Sequence, residues 1–177
     1  RGFMQVSSAP LFLIGPTGAG KTTVGRLLAS RLKRRFIDLD EEIEHRCGAD
    51  IPWIFDVEGE SGFRAREAKA LELLSETDRA VISTGAGVVL AAENRARLSQ
   101  ARAHVIWLHV DLETQYDRLK HDKQRPLLQV DDPKAKLRAM AIEREPFYAE
   151  CAGIRVQTGK SSPASVVLRI LEALKEA

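Results

Sequence analysis

Five short apolar runs recur along the chain, separated by amphipathic stretches with helical spacing. Leu11-Phe12-Leu13-Ile14 is apolar throughout, the pattern of a strand buried on both faces of a parallel sheet. Phe36-Ile37-Asp38, Ala80-Val81-Ile82-Ser83, His104 to Leu108 and Ile154-Arg155-Val156 read as four further strands. Val24, Leu27, Leu28 and Leu32 recur at helical period and predict a helix over 21–32. Further helices are predicted over 40–46, 51–57, 62–74, 93–98, 112–119, 134–149 and 163–174. Pro146 is expected to interrupt or bend the helix that contains it, whereas Pro163 suits a first helical turn. Strands that alternate with helices imply βαβ units: an α/β fold, with a parallel five-stranded sheet covered by helices on both faces as a three-layer α-β-α sandwich.

At 177 residues, with no repeat, low-complexity tract or inter-domain linker, the chain is expected to form a single domain over 1–177. Residues 1–8 carry no pattern and are expected to be a loose tail. The polar, proline-bearing stretch over about 121–132 is long for a connection in a compact domain, and such loops often serve as lids.

Charge excludes more than it suggests. There are 27 basic and 25 acidic side chains, a net charge of +2, which gives no global argument for nucleic acid or a membrane surface as partner. No apolar run approaches the roughly 20 residues needed to span a bilayer. Cys47 and Cys151 share no metal-ligand spacing with each other or with the four histidines. Reduced cysteines in a cytoplasmic protein are the expectation.

The segment Gly15-Pro16-Thr17-Gly18-Ala19-Gly20-Lys21-Thr22 fits G-x-x-x-x-G-K-[ST] at every fixed position, between a predicted strand and a predicted helix. Glycines let such a backbone curl so that successive N–H groups face phosphate oxygens, and the helix N-terminus adds partial positive charge. In this motif the lysine, here Lys21, reaches the β- and γ-phosphates, and the hydroxyl of Thr22 ligates Mg²⁺. The chain therefore reads as a P-loop nucleotide binder, with ATP as the expected ligand. The fold does not choose among the activities that share this loop.

Other residues narrow the choice. Asp38 and Asp40 alternate at the end of the second predicted strand, so both carboxylates can share one face; alternatively, Asp40 simply caps the next helix. Arg64 and Glu67, three apart, are either an ion pair or an arginine fork for a substrate carboxylate with its support. Arg144, between Glu143 and Glu145, has the same two readings. The segment His121 to Leu128 is either a solvated loop or a lid that brings Arg125 to the transferring phosphate.

Together these motifs resemble the shikimate kinases, over Leu11 to Leu174. Beyond the P-loop, the resemblance is carried by Asp38-Leu39-Asp40, Gly48-Ala49-Asp50-Ile51, Asp56 to Arg64 with its Gly59-Glu60-Ser61-Gly62-Phe63-Arg64, Thr84-Gly85-Ala86-Gly87, Arg125-Pro126-Leu127-Leu128 and Arg144 to Tyr148. It implies a P-loop fold of nucleoside-monophosphate-kinase type, with moving lid and substrate-binding regions. The implied reaction is transfer of the ATP γ-phosphate to the 3-hydroxyl of shikimate, with Mg²⁺, and the resemblance implies a monomer. By position, Lys21, Asp40 and Arg125 look catalytic. Gly15, Gly18, Ala19, Gly20, Lys21, Thr22, Thr23, Arg118, Arg125, Ser161 and Pro163 look like the ATP site. Asp40, Arg64, Gly85, Ala86, Gly87 and Arg144 look like the shikimate site. Asp38 looks like a water-mediated Mg²⁺ partner beside Thr22, and Glu67 like a support for Arg64.

One residue departs from the family pattern, which usually has three glycines after the third strand: here the middle one is Ala86. A left-handed backbone there would cost alanine roughly 1–2 kcal/mol. The alternatives are another small-molecule kinase of this fold, such as a gluconate kinase, or a catalytically impaired regulatory paralogue.

Overall fold

The computed structural model describes residues 7–122 and 130–176. Its strands are β1 (Leu11–Ile14), β2 (Arg35–Asp38), β3 (Ala80–Ser83), β4 (Val105–His109) and β5 (Ile154–Gln157). Its helices are α1 (Lys21–Leu32), α2 (Leu39–Cys47), α3 (Ile51–Leu74), α4 (Ala92–Gln100), α5 (Leu112–Lys120), α6 (Pro133–Cys151) and α7 (Pro163–Glu176). The strands form one parallel sheet in the order β2-β3-β1-β4-β5.

Strand alternation sorts the core into two layers. Phe12, Ile14, Ile82, Val105 and Trp107 face a cluster with Leu39, Ile43, Ile54, Leu71, Leu98 and Tyr148 from α2, α3, α4 and α6. Leu11, Leu13, Val81, Ile106 and Leu108 face the other side, against Val24, Leu28, Val166 and Ile170 of α1 and α7. This is the three-layer arrangement expected from the sequence. Helix α1 lies close to the sheet because Gly25 has no side chain: a Cβ there would come within 2.7 Å of the Phe36 ring and 3.0 Å of Leu13.

Four details differ from the sequence expectations. Ser7 and Ser8 are tied down, the first by Arg34 and the second by the Arg79 N–H donating to its carbonyl at 2.7 Å; the rest of the expected loose tail, 1–6, lies outside the described residues. Pro146 does not interrupt α6, which runs through it. A proline removes one helical bond, to the carbonyl four residues back, and Ile142 at that position is 71% exposed, so water can satisfy the freed group. The helices expected over 51–57 and 62–74 adjoin as α3, but Gly59, at φ 75° and ψ 179°, breaks the helical path between them. Finally, β4 starts at Val105, with His104 in a 3₁₀ turn before it.

Candidate active site

Every strand of a parallel sheet ends at the same edge, and ligands in such folds bind beyond that edge. A cleft of about 480 Å³ opens there, lined among others by Gly18, Ala19, Gly20, Lys21, Thr22, Thr23, Asp38, Asp40, Gly85, Ala86, Arg118, Ser161 and Pro163.

The phosphate side of the cleft is built from helix ends. Helices α2, α3, α5 and α6 begin with aspartates (Asp38, Asp50, Asp111 and Asp132) whose carboxylates accept N–H bonds of the first turn. Helix α1 begins at Gly20, φ 92°, with no side-chain cap. Its first N–H groups thus remain open to an anion. Gly15 sits at the base of the loop at φ 144°, where a Cβ would come within 2.5 Å of the Leu108 carbonyl oxygen. The carbonyls of Gly15, Pro16, Thr17 and Gly18 each accept from a side-chain donor. Lys21 Nζ donates to Gly15 O at 2.6 Å and Pro16 O at 3.0 Å. Gln115 Nε2 donates to Thr17 O, and Arg118 Nη1 to Gly18 O, both at 2.8 Å. Arg118 also donates to Gly159 O at 2.7 Å, which ties the loop to the turn bearing Ser161.

The capping role that the sequence allowed Asp40 falls to Asp38 instead. Strand β2 ends at Asp38, and Asp38 caps α2: its Oδ1 accepts from the N–H of Asp40 at 2.9 Å and of Glu41 at 3.2 Å. Asp40 is thus in the first helical turn, not on the strand. Its Oδ1 is buried without a hydrogen-bond partner. Burial, then the Asp38 carboxylate, push the Asp40 carboxyl above the usual carboxylate range, against the pull of Lys21 and Arg64.

The acceptor side lies next to it. Arg64 Nη1 donates to Glu67 Oε1 at 2.8 Å, and Glu67 is fully buried. The second Glu67 oxygen, Oε2, has no hydrogen-bond partner, and neither has Nε of Arg64 or of Arg144. Burial raises the Glu67 carboxyl, while the charges of Arg64 and Arg144 both pull it down. A Cβ built on Gly85 would stand 3.1 Å from Asp40 Oδ1 and 3.5 Å from Glu67 Oε2, so both unsatisfied oxygens border one spot. Gly87 is buried behind Arg64 and does not line the cleft. Ala86 lies outside the left-handed region, so its methyl costs no backbone strain. Its carbonyl accepts a 2.6 Å bond from Tyr148 Oη. Burial pushes the Tyr148 phenol up to about 12, so it donates throughout the neutral range.

Known proteins resemble this chain in sequence and fold. A profile of the family described as "Shikimate kinase" matches residues 17–175. The chain belongs to that family. It is 50% identical over 165 residues to a shikimate kinase of Halorhodospira halophila, covering 93% of each chain. A Legionella pneumophila shikimate kinase is 49% identical over 164 residues, again with 93% of both chains covered. Among solved structures, the chain superposes on a shikimate kinase from Acinetobacter baumannii in complex with shikimate with a TM-score of 0.88 and 42% identity, covering 96% of this chain and 94% of that one. A gluconokinase from Sinorhizobium meliloti, at 17% identity and a TM-score of 0.55, shares the fold alone.

The structure thus brings the P-loop, Asp38, Asp40, Gly85, Ala86, Arg118, Ser161 and Pro163 to one cleft, with the Arg64–Glu67 pair beside it; Arg144 lines a smaller cavity with Thr17, Gln115 and Tyr148. Arg125, the lid arginine of the sequence reading, lies outside the described residues. Sequence reasoning missed Gln115, and it gave Tyr148, the last residue of the Arg144 to Tyr148 motif, no role of its own. Each holds a site carbonyl from far away in sequence, so local pattern could not reveal the contact.

Proposed function

We propose that this chain transfers the γ-phosphoryl group of ATP to the 3-hydroxyl of shikimate, giving ADP and shikimate 3-phosphate. One observation carries the reading: an uncapped helix N-terminus and a buried, partner-free carboxylate oxygen share one cleft, and that oxygen borders the Arg64–Glu67 pair. An anion with hydroxyl groups and one carboxylate fits that set. Arg64 and Arg144 take the carboxylate as forked donors. Glu67 holds Arg64 in place. Asp40 accepts the hydroxyl's hydrogen bond.

In the reaction the hydroxyl oxygen bonds to the γ-phosphorus, the bond from that phosphorus to the β–γ bridging oxygen breaks, and the hydroxyl proton passes to Asp40. A carboxyl raised toward neutrality is a better proton acceptor than an ordinary one. Lys21 and the open N–H groups of α1 stabilise charge on the phosphoryl oxygens, and Arg125 joins them from the expected lid over about 121–132. Arg118, Ser161 and Pro163 wall the adenine end. Thr22 would offer its hydroxyl to Mg²⁺, and Asp38, with one oxygen used as the α2 cap, would offer its second oxygen through water; these hard oxygen donors suit that ion. When bound, Mg²⁺ neutralises phosphate charge.

Coupled ADP release with ATP, Mg²⁺ and shikimate tests the reading, with gluconate as the control acid. Turnover of shikimate is expected. Turnover of gluconate with none of shikimate would transfer the site to another acid. Nucleotide binding without any turnover would make the chain a regulatory binder.

A further inference from the structure

Helix α5 touches the phosphate cradle through two side chains one turn apart, Gln115 and Arg118, and the two are not equivalent. Arg118 is exposed, lines the cleft and carries a charge that a nucleotide can recruit. Gln115 is 6% exposed, and it is not among the residues lining the main cleft. It sits behind the loop, where Leu119 and Val110 are its buried apolar neighbours in sequence. A buried amide is costly unless it is hydrogen-bonded, so its polarity needs a reason. Its partner supplies one: Nε2 donates to the Thr17 carbonyl at 2.8 Å.

That carbonyl belongs to the peptide between Thr17 and Gly18. In a trans peptide the C=O and N–H point in opposite directions. Holding the Thr17 oxygen toward α5 therefore aims the Gly18 N–H into the cradle. The same peptide is free to turn over. Gly18 stands at φ 84°, and glycine accepts either sign of φ at little cost. A flipped peptide would present a carbonyl oxygen to phosphate instead of a donor.

We infer that Gln115 is a positioning residue for the phosphoryl donor: it locks the Thr17–Gly18 peptide so that the Gly18 N–H stays available to phosphate. This rests on the proposed reading of the cradle as the ATP site. Lys21 and Arg118 also bond loop carbonyls, but both are cations that the nucleotide draws on. Gln115 is neutral and keeps its bond whether the cradle is empty or filled.

Two variants test it, Gln115→Met, of similar length and without a donor, and Gln115→Glu, of the same shape and a donor only when protonated. Calorimetric Kd values for ATP and for shikimate are the readout, with KM values beside them. For Gln115→Met the ATP Kd is expected to rise about tenfold while the shikimate Kd stays within about twofold. For Gln115→Glu the loss is expected to be larger near pH 8 and to shrink relative to wild type toward about pH 6, as the buried carboxyl gains its proton. A purely structural role would move the shikimate Kd together with the ATP Kd. The ¹⁵N–¹H resonance of Gly18, readable in whichever variant folds, is expected to shift in the absence of nucleotide. ATP Kd values within about twofold of wild type in both variants, or equal losses for ATP and shikimate, would overturn the inference. Wild-type turnover judges the functional reading separately, since the ATP Kd needs no turnover.

Discussion

The guanidinium of Arg64 lies flat against the α-carbon of Gly87, so close that a Cβ built there would overlap Nη2 and stand 2.8 Å from Nη1. Gly87 has φ −94°, an ordinary value for any residue. It is space, not backbone freedom, that demands glycine. Gly87→Ala is therefore expected to push Arg64 off Glu67 and to raise the KM for shikimate by roughly tenfold or more, the worth of one charge-assisted contact. The KM for ATP should change far less. Steady-state kinetics with each substrate varied in turn checks this.

Asp40 couples activity to stability with opposite signs. Its carboxyl is raised by burial and by Asp38, so the folded chain holds that proton more tightly than the unfolded chain does. Ionisation of Asp40 therefore weakens the fold as pH rises through the unfolded and then the raised folded value, and the loss persists above it. Asp40→Asn is expected to raise Tm at pH 7–8, each kcal/mol relieved appearing as about 2–4 °C in a chain of this size. That gain should vanish below the ordinary carboxylate range. Turnover should fall by about 10²–10⁴-fold with ATP binding kept. A Tm gain that is the same at every pH would contradict the burial argument.

Ala86 introduces no strain, so restoring glycine has little to relieve. Ala86→Gly is expected to lower stability by about 0.4–1 kcal/mol through added freedom of the unfolded chain. The shikimate KM should remain within about twofold. Denaturant titration and kinetics on the same preparation read both quantities.

Across the break at Gly59, Arg66 reaches back to Glu58 with two hydrogen bonds, Nε at 2.7 Å and Nη2 at 2.9 Å. Phe55 stacks on Phe63 across the same break, with ring centroids 4.8 Å apart, and Arg64 follows directly. The pair therefore helps set the angle between the two halves of α3. Glu58→Arg and Arg66→Glu are each expected to raise the shikimate KM, and the reversed pair to restore it. Failure of the double variant to recover would assign the effect to something other than the ion pair.

Much of the fold was legible because it depends on local pattern. The apolar run of β1 announced a buried strand, and the gaps between the helices predicted over 40–46, 51–57 and 62–74 hold Gly48, which caps α2, and Gly59, which breaks α3. Pro146 misled because one lost bond on a solvent-facing stretch is easily tolerated. Asp38 and Asp40 both line the cleft, but not as alternate residues of one strand: the helix begins one residue after Asp38, and capping then falls to Asp38 rather than to Asp40. Tyr148 and Gln115 stayed hidden because their partners are backbone carbonyls 62 and 98 residues away. A side chain that serves a carbonyl leaves no complementary residue type to find in the sequence.

Four consecutive carbonyls of the phosphate loop, from Gly15 to Gly18, each accept a side-chain hydrogen, two of them from Lys21 and one from Arg118. On the proposed reading, loading ATP is then a partner exchange rather than an addition. Both cations trade a neutral oxygen for a charged one and pass back to the loop when ADP departs. The enzyme can empty its cradle at every turnover without ever leaving those charges stranded.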